Sequence, residues 1–321
     1  MELKPEILKK IEDLEKKYTS MGQDLSSYLD GLLYADFLTY WDYIHLDTLL
    51  TLQTPKTSIP DEKIFIIYHQ ITELYFKLCL NEFQQISEKK NPDLKFFLTH
   101  ANRINSYFEN LVRSFDVMIE GMEPEQFLKF RMSLLPASGF QSAQYRMVEI
   151  CSTEFIRLVS KDHRSKFNEK SSIRDMFEFI YWKAGATELA TGKKTLTLEQ
   201  FEKKYSESLI ELAEEKKSTN LWQLYKQLPE KDQLNQQLIS TMKMLDTNIN
   251  VNWPLSHYKS AVKYLQKDPE DIKATGGTNW QKYLPPRFQK RIFYAELFTP
   301  EEIENWGKGW VTSEVFGMKE A

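Results

Sequence analysis

Apolar residues along the chain recur at three- and four-residue spacing, and no stretch sustains the two-residue alternation of a hairpin-bounded strand. The pattern predicts an all-α fold. A first helix is expected around 4–18, then a polar break at SMGQDLSSYLDG, then one helix through FLTYWDYIHLDTLLTLQ. TPKTSIPDE reads as a loop, with Ser58 or Asp61 capping the helix that follows. That helix, 61–88, is apolar on nearly every side for its first five turns, which predicts the buried centre of a bundle. Further helices are expected near 93–121, 124–135, 139–160, 172–185, 197–215, 218–227 and 230–247, with KDHRSKFNEKSS as a surface connection. NINVNWPLSHYKSAVKYLQ gives another helix with Pro254 near its start, and KATGGTNWQKYL carries the only Gly-Gly pair. No internal repeat interrupts this texture, so a single helical domain over 26–321, preceded by an arm at 1–25, is the expected organisation.

Composition sharpens the picture. Glycine is scarce, 11 in 321 residues, and aromatics are plentiful, which favours long helices packed through large side chains. Cys79 and Cys151 both sit in apolar helical patterns and neither belongs to a CxxC or CxxCH motif. A disulfide framework, a cysteine zinc site and covalent haem attachment are thereby disfavoured, and a reducing cytoplasmic setting is expected. The net charge of −4 comes without a basic stripe, which argues against nucleic acid. No apolar run of about eighteen residues suggests a membrane span, and the charged N-terminal helix lacks a signal core.

Five histidines are available, His45, His69, His100, His163 and His257, and none forms HxxxH or HExxH. A zinc or di-iron site on one helix face therefore has no support. His69 shares a helix face with Phe65, an arrangement that could hold a planar ligand, but Glu73 on the same face offers an ordinary structural partner. Phe127 with Arg131, Trp253 with His257, and Tyr40 with Tyr43 are similar same-face pairs. Arg131, among aromatics, could grip a carboxylate through two parallel hydrogen bonds, or pair with Glu123 or Glu125. Tyr40 and Tyr43 could equally be core. ATGGTN could turn backbone N–H groups toward an anion or be a plain loop, and neither GxGxxG nor GxxxxGK[ST] is present.

Taken in order, YWDYIHLDTLL (40–50), FIIYHQITELYFK (65–77), FLKFR (127–131), LPASGFQSAQYR (135–146) and WPLSH with KATGGT resemble the tryptophan 2,3-dioxygenase family. PASGFQS is the most specific block. The resemblance implies a helical homotetramer, a dimer of dimers, with one haem b per subunit and His257 as the iron's proximal ligand. It implies His69 hydrogen-bonding the indole N–H of L-tryptophan, Phe65 near the indole, Arg131 on the substrate carboxylate with Phe127 beside it, and Thr275 closing over the amino acid. Tyr40 and Tyr43 match residues lent by a neighbouring subunit. The implied reaction inserts both atoms of O2 across the indole C2–C3 bond to give N-formyl-kynurenine. The chain departs from the family pattern in places: Pro254 stands where the family usually has arginine, ATGGTNW replaces GTGGSSG, and ELY replaces ELW. The altered loop motivates an alternative, hydroxylation of another indole or phenol amino acid. Pro254 motivates a second, a haem- or tryptophan-binding protein without turnover.

Overall fold

The computed structural model describes residues 3–35, 38–134, 138–168, 170–187, 191–265, 286 and 290–307. Among them every regular element is helical, and the chain divides into two compact units, Met1–Thr54 and Pro55–Ala321.

The first unit holds α1 (Pro5–Ser20), α2 (Leu25–Leu33) and two single turns, α3 (Tyr40–Tyr43) and α4 (Leu46–Leu49). Part of the expected polar break is helical, because the Asp24 carboxylate accepts the Ser26 N–H at 3.0 Å and caps α2. The single helix expected over FLTYWDYIHLDTLLTLQ is broken at His45. That residue has φ 50°, a left-handed conformation that ends α3 and redirects the chain into α4.

The second unit is built on α5 (Asp61–Glu88) and α6 (Leu94–Ser114), followed by the turn α7 (Asp116–Ile119) and by α8 (Pro124–Phe130), which runs into a 3₁₀ turn, Arg131–Leu134. Then come α9 (Ala143–Ser152), α10 (Lys161–Arg164), α11 (Ile173–Phe177), α12 (Tyr181–Gly185), α13 (Leu196–Glu215), α14 (Leu221–Gln227) and α15 (Glu230–Gln233). The last long stretch is α16 (Gln236–Thr247), a π-turn at Asn248–Asn252 and α17 (Trp253–Leu265), with a short α18 (Pro300–Glu304) beyond. α5 lies against α6, α7, α8 and α9, while α16, the π-turn and α17 pack along α6.

Two expectations about α5 change. Neither Ser58 nor Asp61 caps it: Pro60 occupies the cap position, and the Asp61 carboxylate instead accepts the backbone N–H of Glu123 at 2.7 Å. Glu62 collects the preceding loop, accepting from the N–H groups of Lys56 and Thr57 at 2.7 Å each and from the Thr57 hydroxyl at 2.6 Å. Nor is α5 buried on every side within one chain, since Ile67, Ile71, Leu74 and Leu78 form an exposed stripe. The helix expected over 139–160 stops at Ser152, where Thr153 turns extended and its hydroxyl donates to the Phe293 carbonyl at 3.1 Å.

A buried carboxylate joins the two longest helices. Glu82 on α5 accepts from His100 Nδ1 at 2.6 Å and from Arg103 and Tyr107, each at 3.4 Å, all on α6. Removing it strands a buried imidazole, so Glu82→Ala is expected to cost roughly 3–5 kcal/mol. Glu82→Gln keeps an acceptor and should cost clearly less. Urea unfolding of the two variants checks this; equal losses would mean that the carboxylate's charge, not merely an acceptor at that place, carries the contact.

Candidate active site

His257 lies one turn into α17, where its Nδ1–H donates to the Trp253 carbonyl at 3.1 Å. The bond fixes the neutral tautomer and leaves Nε2 with its lone pair, with no hydrogen-bond partner among the described residues. Aromatic rings hold the imidazole in place: Trp253 edge-on at 4.4 Å and Phe115 at 4.5 Å between centroids. Burial pushes the His257 pKa down to about 4, outweighing the Trp253 carbonyl, with His69 and Arg146 lowering it further.

His69, midway along α5, uses the same device. Its Nδ1–H donates to the Phe65 carbonyl at 2.7 Å, and the Phe65 ring lies 4.0 Å from its own. Glu73, the structural partner that the sequence offered, accepts instead from Gln144 on α9 at 2.8 Å. Burial holds His69 below the usual histidine range. Aromatic contacts join the two helices although they lie nearly two hundred residues apart in the chain: Phe76 of α5 meets Trp253 edge-on at 5.7 Å, and Phe115, which packs on His257, also meets Tyr68, the neighbour of His69, at 5.6 Å.

α8 supplies an apolar wall, and the turn that follows it a cation. Phe65 meets Phe130 at 5.7 Å and Phe127 at 6.4 Å, and Phe127 packs on Tyr264 of α17 at 4.8 Å. The bond from the Glu123 N–H to Asp61 pins the start of α8 to the start of α5. Arg131 follows at the head of the 3₁₀ turn, 5% exposed, its basicity lowered by burial. Phe65, His69, Phe127 and His257 all retain some accessible surface. Phe65, His69 and Phe127 are thus brought together on α5 and α8, Arg131 follows Phe130 in the chain, and His257 is linked to α5 through Phe115 and Trp253. Tyr40 and Tyr43 are exposed residues of the first unit. Thr275 and its glycine-rich loop lie outside the described residues. Three neighbours escaped the sequence reading: Phe115, Phe130 and Tyr264. Phe130 stands three residues after Phe127, and Tyr264 seven after His257, so helical spacing could have found both; nothing local marks Phe115.

Since the native protein holds His257 neutral well below pH 6.5, the unfolded chain binds more protons there, and stability is lost as pH falls from about 6.5 toward about 4. Ring NMR should show His257 titrating at the bottom of that window. A midpoint near the ordinary histidine value would contradict the burial.

Comparison with known proteins follows the same segments. A sequence model described as Tryptophan 2,3-dioxygenase matches residues 33–267, from the end of α2 past the end of α17. The tryptophan 2,3-dioxygenase of Herpetosiphon aurantiacus is 31% identical over 272 residues, covering 81% of this chain and 96% of the relative. Those of Ruegeria sp. and Anaeromyxobacter sp. are 42% and 41% identical over 118 and 121 residues. These shorter matches span 42% and 45% of the relatives' lengths. With nearly three quarters of its length under the family model, the chain belongs to the tryptophan 2,3-dioxygenase family.

Proposed function

We propose that this chain is a haem-dependent dioxygenase that adds both atoms of O2 across the indole C2–C3 bond of L-tryptophan, giving N-formyl-kynurenine. What carries the reading is two neutral imidazoles, His257 and His69, held the same way on helices joined by aromatic contacts, with the wall of Phe65 and Phe127 beside His69 and Arg131 next in the chain after Phe130. The name shared by the relatives supports the choice of reaction. The donor set fits haem b: a neutral imidazole with its Nε2 uncommitted among the described residues, set among aromatic rings, would suit a haem iron. Bound haem would supply the iron that activates O2.

The chain's own groups do the rest. His257 would hold the iron through Nε2, with the carbonyl of Trp253 keeping that nitrogen aimed and raising its donor strength. His69, with Nδ1–H committed to Phe65, presents Nε2 as an acceptor for the indole N–H. Phe65, Phe127 and Phe130 exclude water and flank the indole, and Arg131 grips the carboxylate with a planar fork. Orientation would be the main contribution of these residues, holding the indole in a single pose for reaction. Thr275 over the amino acid, the homotetramer, and the loan of Tyr40 and Tyr43 to a neighbouring subunit belong to the same reading, as does a cytoplasmic setting. No helix among the described residues is long and apolar enough to cross a membrane.

The reaction is tested by supplying L-tryptophan under ¹⁸O2. Two labelled oxygens in N-formyl-kynurenine support it, while one labelled oxygen on an intact indole would point to hydroxylation. His257→Ala should lose haem, whereas His69→Ala should keep haem and lose turnover only in part, because its hydrogen bond orients the ring without an obligatory proton transfer. Arg131→Ala removes a charged partner from a desolvated place and should weaken L-tryptophan binding by roughly 2–5 kcal/mol. Tryptamine, which lacks the carboxylate, should bind both proteins alike. Titrations followed through the haem absorption band separate these cases, and equal losses for both ligands would make Arg131 a support of the fold.

A further inference from the structure

The stretch from α16 to α17 is one continuous helical run whose middle is wider than an α-helix. At its end the Trp253 N–H donates to the Asn248 carbonyl, five residues back. Such a turn accommodates one residue more than an α-turn, has weaker hydrogen-bond geometry, and persists where something holds it.

Its consequence is rotational. Leu238, Met242 and Leu245 of α16 and Ile249 of the π-turn are all fully buried and form one stripe. At about 100° per residue, an unbroken α-helix would put His257 roughly 90° from the centre of that stripe, in the direction Tyr258 now takes. Absorbing one residue in the π-turn removes that quarter turn and brings His257 and Tyr264 into line with the stripe. The contacts agree. His257 meets Phe115 at the end of α6, the helix along which α16 and α17 both pack.

Two features hold the turn open. Pro254 has no N–H and would clash with the Asn250 carbonyl in a regular α-helix, so it opposes closure to α geometry. A chain of side-chain amides crosses from α6: Asn105 Nδ2 donates to the Thr241 carbonyl at 3.0 Å, Asn248 Nδ2 to Asn105 Oδ1 at 3.0 Å, and Asn252 Nδ2 to Asn248 Oδ1 at 2.8 Å. Asn105 and Asn248 are buried, where an unsatisfied amide is costly, so closing the turn would break bonds that water cannot replace.

We propose that Asn105, Asn248, Asn252 and Pro254 form a register lock whose task is to set the rotation of α17 and so aim His257. They are positioning residues. The proposal rests on His257 being the iron ligand. Pro254, a departure from the family's pattern, then becomes part of what aims the ligand.

The test uses the full chain loaded with haemin, with far-UV circular dichroism to confirm folding. Asn248→Ala with Pro254→Ala removes both restraints. Haem should then pass to a scavenger globin roughly 10- to 100-fold faster, with an altered ferrous spectrum. Deleting Asn252 in that background makes an α-helix with the native rotation, and haem retention and spectrum should return toward wild type. A merely structural role would leave the deletion as damaging as, or worse than, its parent. Native haem retention in the double variant overturns the lock, and so does failure of the deletion to restore it. Should the double variant unfold, the deletion variant alone decides by the same criterion. His257→Ala serves as the control. If it keeps haem with an unchanged spectrum, the ligand reading falls and the lock with it; if it loses haem while the lock variants keep theirs, the lock alone falls.

Discussion

The site depends on one small bond used twice, from an imidazole Nδ1–H to the carbonyl one turn earlier in the same helix. A histidine held this way has one tautomer, one ring orientation and one nitrogen to offer. Burial keeps both rings neutral, so neither offered nitrogen is lost to a proton near pH 7. An isolated helix could make the same bond. What the fold adds is the meeting of two such helices, with Phe76 of α5 on Trp253 of α17, which under the proposed function would let one imidazole serve a metal and the other a substrate.

That juxtaposition comes from packing joined by buried polar contacts. Glu82 ties α5 to α6, and Gln144 ties α5 to α9 through both the carbonyl and the carboxylate of Glu73. Asp61 carries the start of α8 and with it the wall of Phe127, Phe130 and Arg131. At the far end of α17, Tyr264 reaches the carbonyls of Met118, Ile119 and Met122 and so fixes the helix bearing His257 to the turn before α8. The segment after α17 is anchored separately, by Asp246 accepting the N–H groups of Phe293 and Tyr294 at 2.7 and 2.9 Å. Apolar burial supplies most of the stability, and these polar ties select which faces meet.

Much of this was legible in the sequence where the signal was local and long. α5 was read with its observed limits because an apolar run is bounded by a proline loop and a lysine pair. The same-face pairs Phe65 with His69 and Trp253 with His257 follow from helical spacing alone. Tertiary competition defeated other readings: Asp61 was expected as a cap, but Glu123 brings an amide N–H from sixty-two residues away. His45 shows the reverse failure, since nothing in FLTYWDYIHLDTLLTLQ announces a left-handed residue. The π-turn was visible in principle. Leu238, Met242 and Leu245 do not share a 3.6-residue phase with His257, and Pro254 marks the position where that phase slips.

The central claim is that one imidazole takes the iron and the other is kept for substrate. Electron–nuclear double resonance on the ferric haem-loaded protein, labelled with ¹⁵N in histidine only, measures this directly by counting axial histidine nitrogens. One such nitrogen is expected without substrate, retained in His69→Ala and absent from any haem that His257→Ala still takes up. Two axial histidine nitrogens, or one that survives replacement of His257, would contradict it.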